Sequence, residues 1–124
     1  MTFGVSEANC RAVPRRRGEG GARMVEAMVA SAFAVFPAEI RDPQRGRATA
    51  AFARQVAIYL SHTRLGLSYT AAGAFFDRDR TTAAHACRTI EDRREDPTID
   101  AIVDFLERAI DLWPELAVVR LRRR

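Results

Sequence analysis

Between Ser68 and Arg93 the sequence reads SYTAAGAFFDRDRTTAAHACRTIEDR. Ala72, Phe75 and Phe76 in the first part, then Ala83, Ala86, Cys87 and Ile90 in the second, fall at helical spacing. Only the residues DRD, 77–79, separate the two runs. A short helix of about 69–76 and a second one from Arg80 to about Arg93 are predicted. A break of about three residues forces them to pack at a steep angle, which is the helix-turn-helix arrangement. Ser68 suits the cap of the first helix and Asp79 that of the second, since short polar side chains accept from the free N–H groups there.

The rest of the chain has the same periodicity. Val25, Val29, Ala32, Phe33 and Phe36 predict a helix over 23–36 that Pro37 ends or turns. RDPQRGR, residues 41–47, reads as a basic loop. Phe52, Val56, Tyr59, Leu60 and Thr63 share one face of a helix over 50–63, and Gly66 suits its stop. Asp96-Pro97 opens a last helix with apolar points at Ile99, Ile102, Val103, Leu106, Ile110 and Trp113. Pro114 is expected to stop it. No segment alternates with period two over strand length, so the fold is predicted to be all-α, with about five helices. Residues 1–22 read as a flexible basic arm, 23–114 as the helical domain and 115–124 as a basic tail. Phe33, Phe36, Phe75 and Phe76 are expected in the core, with Trp113 covering the end of the last helix.

Charge separates along the chain. All 20 basic residues are arginine. The absence of lysine excludes a Walker-A loop. Residues 41–94 hold ten arginines against five acids, or +5, and residues 95–115 hold one arginine against seven acids, or −6. The first 23 residues carry +3 and the last nine +4. A basic middle and basic ends point to a polyanion on one surface. Asp100, Asp104, Glu107 and Asp111 form an acidic stripe, read as a solvated face turned from DNA, or else as a docking face for a basic partner.

Little here suggests catalysis. The acidic stripe has no nucleophile beside it and no apolar surround to raise a carboxyl pKa. His85 and Cys87, two residues apart, project about 200° apart on a helix and cannot chelate one ion. No other His or Cys has finger spacing. No enzyme, metal or cofactor is expected. Cys10 and Cys87 read as free thiols of a reducing compartment. No stretch reaches the length of a membrane helix, and the start has no apolar core of a signal peptide. A cytoplasmic, nucleoid-associated protein is expected.

At the second helix of the pair, free N–H groups and a positive dipole end suit phosphate. Arg78 and Arg80 can reach phosphate or guanine, and Thr81 and Thr82 offer hydroxyls and methyls to base edges. Asp79 caps the helix and can accept from a cytosine amino group. Thr81, His85, Arg88 and Asp92 share its polar face.

Several of these segments together resemble domain IV of the bacterial replication initiator DnaA. They are ARQVAIYL (53–60), GLS (66–68), Gly73 with Phe76, and RDRTTAAHACRTIED (78–92), which is similar to the family's GRDHTTVLHACRKI. The likeness runs from about residue 25 to 110. The initiator's AAA+ module has no counterpart, so a small stand-alone protein built from this domain is expected. The resemblance implies that Arg78, Asp79, Thr81 and Thr82 match major-groove readers. Arg80 replaces the usual base-reading His. His62 stands where a DNA-contacting Lys is common, and Thr70 where a Pro touches DNA. His85 and Arg88 match residues near phosphates. The family's minor-groove arginine maps to Gly46, leaving Arg45 and Arg47 on either side as candidates. The family's turn often reads FGGRD; here it is FDRD, one residue shorter and with Asp77 in place of glycine.

The implied function is sequence-preferring binding of double-stranded DNA that regulates replication initiation or transcription. The alternative is an interaction module acting on the initiator DnaA or its regulatory ATPase.

Overall fold

The structure, a computed structural model, describes residues 15–42 and 48–122. Six helices occupy them: α1 (Arg15–Phe33), α2 (Pro37–Arg41), α3 (Ala48–Thr63), α4 (Tyr69–Phe75), α5 (Arg80–Arg93) and α6 (Pro97–Arg122). No strand occurs among the described residues. The fold is therefore the expected all-α one, with one helix more than the periodicity showed. No helix among these residues is long and apolar enough to cross a membrane.

The central helix is α3. It buries Ala50, Ala53, Val56, Ala57, Ile58, Tyr59, Leu60 and Ser61, and α1, α2, α4 and α5 all pack on it. A helix buried on most sides loses a simple amphipathic stripe. Small residues let the neighbours come close: α5 turns Ala83, Ala86 and Cys87, with Ile90, into the core. Val25 and Val29 of α1 and Val103, Leu106 and Ile110 of α6 complete it.

Four boundaries depart from the sequence reading. First, α1 begins at Arg15, so residues 15–22 of the expected arm are helical; residues 1–14, Cys10 included, lie outside the described residues. The glycines there disfavour helix, but Gly21 sits against Leu65, whose Cδ1 would be 2.9 Å from an added Cβ. Tertiary packing outweighs propensity. Second, α1 stops at Phe33. Ala34 takes φ 54, and the N–H groups of Ala34 and Val35 donate back to Ser31 and Ala30 at 3.3 and 3.0 Å. This is a Schellman closure.

Third, the expected turn at Pro37 is the helix α2. Pro37 stands in its first turn, and the Glu39 side chain accepts from the Phe36 backbone N–H at 3.0 Å. Phe36 serves α2 with its backbone, and its ring is 75% exposed, not in the core as expected. Fourth, Pro114 does not stop α6, which continues to Arg122 through most of the expected tail. A proline removes one helical N–H bond, and the turns on either side carry the helix past it. Trp113 remains 44% exposed.

Candidate nucleic-acid interface

α4 and α5 form the helix-turn-helix, and local chemistry fixes each joint. The Ser68 hydroxyl accepts from the Ala71 N–H at 3.0 Å and starts α4. α4 ends in a second Schellman closure: Asp77 N–H donates to Ala74 at 3.1 Å and Arg78 N–H to Gly73 at 2.9 Å. Asp77, at φ 58, occupies the left-handed position where glycine is most at ease. Asp79 then caps α5, accepting from Thr82 N–H at 2.8 Å. That hydrogen bond is the main reason its carboxyl titrates below the ordinary range.

The angle between the two helices depends on Gly73, which is buried. A Cβ there would lie 2.8 Å from the Arg78 carbonyl oxygen, 3.0 Å from that of Asp79 and 3.2 Å from Ala83 Cβ. The turn can therefore lie directly on α4.

α5 divides as the sequence suggests. Thr81, Thr82, His85, Arg88 and Asp92 are exposed, and Ala83, Ala86, Cys87 and Ile90 are buried. His85 Nε2 lies 3.5 Å from Thr89 Oγ1, one turn along. Burial pushes the Cys87 thiol up to about 12, with the Glu91 charge adding to it. Among the described residues no group of three or more His, Cys, Asp or Glu could hold a metal. Thr70 is exposed in the first turn of α4. Arg80 is exposed too, and its guanidinium carbon lies 5.8 Å from the centre of the Tyr69 ring.

Two further candidates bond to backbone carbonyls. Arg78 is half-buried and donates to the carbonyls of Phe76 (3.0 Å), Asp77 (3.2 Å) and Asp42 (3.3 Å). His62, also half-buried, places Nδ1 2.8 Å from the Leu67 carbonyl. A carbonyl only accepts, so this nitrogen carries the proton. The His62 ring stacks on Tyr69 with centroids 4.2 Å apart and planes 22° apart. Arg45 and Arg47 lie outside the described residues.

Arg54 is a residue the sequence reading passed over. From α3 it donates to the carbonyls of Ile40, Glu39 and Asp42, the last at 3.0 Å. Burial lowers its pKa, as does the neighbouring Arg78 charge, while Asp42 raises it. Arg54 and Arg78 thus share one backbone oxygen, that of Asp42, at the start of the basic loop. The available signal was that Arg54, next to buried Ala53, is the one Arg, Asp or Glu of this helix.

Of the acidic stripe expected on a solvated face of α6, Asp100, Asp104 and Asp111 keep side chains about half-exposed, and only Glu107 is buried. Glu107 is buried, 3.2 Å from Arg94 Nη2 and 3.5 Å from Arg64 Nε. Asp100 lies 2.7 Å from Arg94 Nε, Asp111 3.8 Å from Arg64 and Asp104 3.1 Å from Arg108. Burial would lower the Arg94 pKa, but its bonds to Glu107, Asp100 and the Tyr59 hydroxyl outweigh that and raise it. Glu107 thus has its basic partners within the chain.

The family model for the bacterial dnaA protein helix-turn-helix matches residues 22–90. The chain belongs to that family. The matched region ends inside α5, beyond all the contact candidates, and takes in the capped turn and its polar face. The chain is similar to the chromosomal replication initiator protein DnaA 2 of Chlamydia trachomatis serovar D, with 39% identity over 74 residues. The protein of the same name from Chlamydia muridarum gives the same identity over the same length. In each case the match covers 57% of this chain and 16% of the relative. The DnaA helix-turn-helix is a domain that binds double-stranded DNA.

Proposed function

We propose that this chain binds double-stranded DNA with sequence preference and thereby regulates replication initiation or transcription. The observation that carries this is the exposed polar face of α5, which starts at a capped helix end and backs onto a buried apolar face. In this reading the start of α5 enters the major groove, as second helices of this motif do. Thr81 and Thr82 meet base edges, and Asp79 meets a cytosine amino group while it caps the helix. Arg80 reaches guanine. His85 and Arg88 approach phosphates, and Thr70 touches the backbone from α4. Arg45 and Arg47 are the candidates for the minor groove. Arg78, held by three carbonyls, is better suited to shaping the turn than to reading a base. The relatives' role in chromosomal replication supports initiation as the process concerned, and the setting would be the nucleoid.

The second reading, an interaction module for the initiator or its regulatory ATPase, drew on the acidic stripe. The buried pairing of Glu107 with Arg64 and Arg94 takes one acid out of that surface, which favours the DNA reading; the shortened turn and the half-exposed Asp100, Asp104 and Asp111 are what remains for the second.

The test is titration of fluorescent duplexes at two or more salt concentrations. Of the candidate arginines other than Arg78, the proposal assigns Arg45, Arg47, Arg80 and Arg88 to DNA. At about −0.9 per phosphate contact, the slope of log K against log[salt] should be roughly −2 to −4. No binding at low salt, or a slope near zero, would sink the DNA reading.

A further inference from the structure

Three residues from three helices meet at the edge of the proposed reading head. His62 is in the last turn of α3, Tyr69 starts α4 and Arg80 starts α5. The Leu67 carbonyl orients the His62 ring, the ring stacks on Tyr69, and Tyr69 lies beneath the Arg80 guanidinium. The last separation, 5.8 Å, is within the range of a cation–π contact.

We propose that Tyr69 is a positioning residue for base recognition: backed by His62, it holds the Arg80 guanidinium where it reads a guanine. This rests on the DNA-binding reading above. An exposed arginine samples many rotamers, and fixing one on binding costs affinity. Bidentate recognition of guanine O6 and N7 demands one orientation of the planar fork. An aromatic face under the guanidinium removes part of that disorder before DNA arrives. The same geometry gives His62 a different task from the DNA-contacting lysine of its relatives. Its Nδ1 proton is committed to Leu67 and its face to Tyr69, so it acts through the tyrosine.

The experiment compares four variants of the full chain: Tyr69→Phe, Tyr69→Leu, Arg80→Ala and the double variant Tyr69→Leu/Arg80→Ala. Each undergoes selection from randomised duplexes and a melting measurement. Arg80→Ala should erase guanine preference at one position, a loss of roughly five- to hundredfold. Tyr69→Leu, which keeps apolar bulk but no ring, should lose most of the same preference at the same position. The double variant should lose no more than Arg80→Ala alone. Tyr69→Phe keeps the ring and should keep the preference. If Tyr69→Leu weakens all duplexes equally, or leaves that preference intact while Arg80→Ala erases it, the proposal is overturned and the DNA reading stands. A DNA-free readout separates the two. The Arg80 Nε–H resonance should be displaced by the ring in wild type and Tyr69→Phe, and lose that displacement in Tyr69→Leu. An undisplaced wild-type resonance overturns the proposal whatever the duplex titrations give.

Discussion

Arg94 Nη2 lies 3.2 Å from Glu107 Oε1 and ties the end of α5 to the middle of α6. Arg94 is 19% exposed and Glu107 9%. Removing one partner of a buried pair leaves the other uncompensated, at a cost of about 3–5 kcal/mol. Arg94→Ala should sit near the lower end, about 3 kcal/mol in chemical denaturation, because Glu107 keeps Arg64 nearby. Adding Glu107→Ala should cost less than the sum of the two single changes. Duplex affinity, measured where the variant is folded, should stay within about twofold of wild type, since this arginine's charge is already taken up.

Asp77 takes φ 58, a region costing most L-residues roughly 1–2 kcal/mol and aspartate somewhat less. Asp77→Gly should relieve that strain, against some loss of chain entropy in the unfolded state. A net gain of about 0.5–1 kcal/mol is expected, seen as a rise in Tm of roughly 2–6 °C. The change also removes a carboxylate from beside the turn. Duplex affinity at low salt should therefore rise, as a titration of both proteins would show.

The carboxyl of Asp79 titrates below its ordinary value because it accepts from the Thr82 N–H. A depressed folded pKa contributes stability above the unfolded value and loses it as pH falls through the folded one. Asn also caps helices well but carries no charge for the helix dipole. Wild type should thus melt above Asp79→Asn at pH 7. The gap should close as pH falls from 7 through and below the ordinary aspartate value of about 4. Melting curves across that range check it.

Cys87 is buried, with its thiol raised to about 12. The thiolate is the reactive species. In a Cys10→Ser background, a thiol reagent at pH 8 should leave the folded protein unmodified. Full labelling should follow once denaturant unfolds it.

The reading head is legible in the sequence because its signals are local. Asp79 and Ser68 cap within three residues, and the alternation of Ala83, Ala86, Cys87 and Ile90 with Thr81, His85 and Arg88 assigns both faces of α5. What stays hidden depends on distant partners. Helical geometry at Gly21 is favoured by Leu65, 44 positions away, so the start of α1 does not show in propensity. α2 has five residues, too few for periodicity, and only Pro37 and Glu39 mark it. Glu107 looks as solvated as its α6 neighbours until Arg64 and Arg94 fold against it. Spacing likewise cannot tell that Arg78 turns inward to Asp42 while Arg80 stays exposed.

Gly73 leaves no room between α4 and the turn, with the Arg78 carbonyl where a side chain would begin. The turn therefore meets α4 backbone to backbone, and the nearest atom of α5 itself is the small Ala83 Cβ. In the DNA-binding mode proposed above, a joint this close would leave the duplex to do the adapting, and the work of bending or widening it would depend on base steps the protein does not touch. Selectivity at such silent positions would then follow from a contact that a single methyl group would force apart.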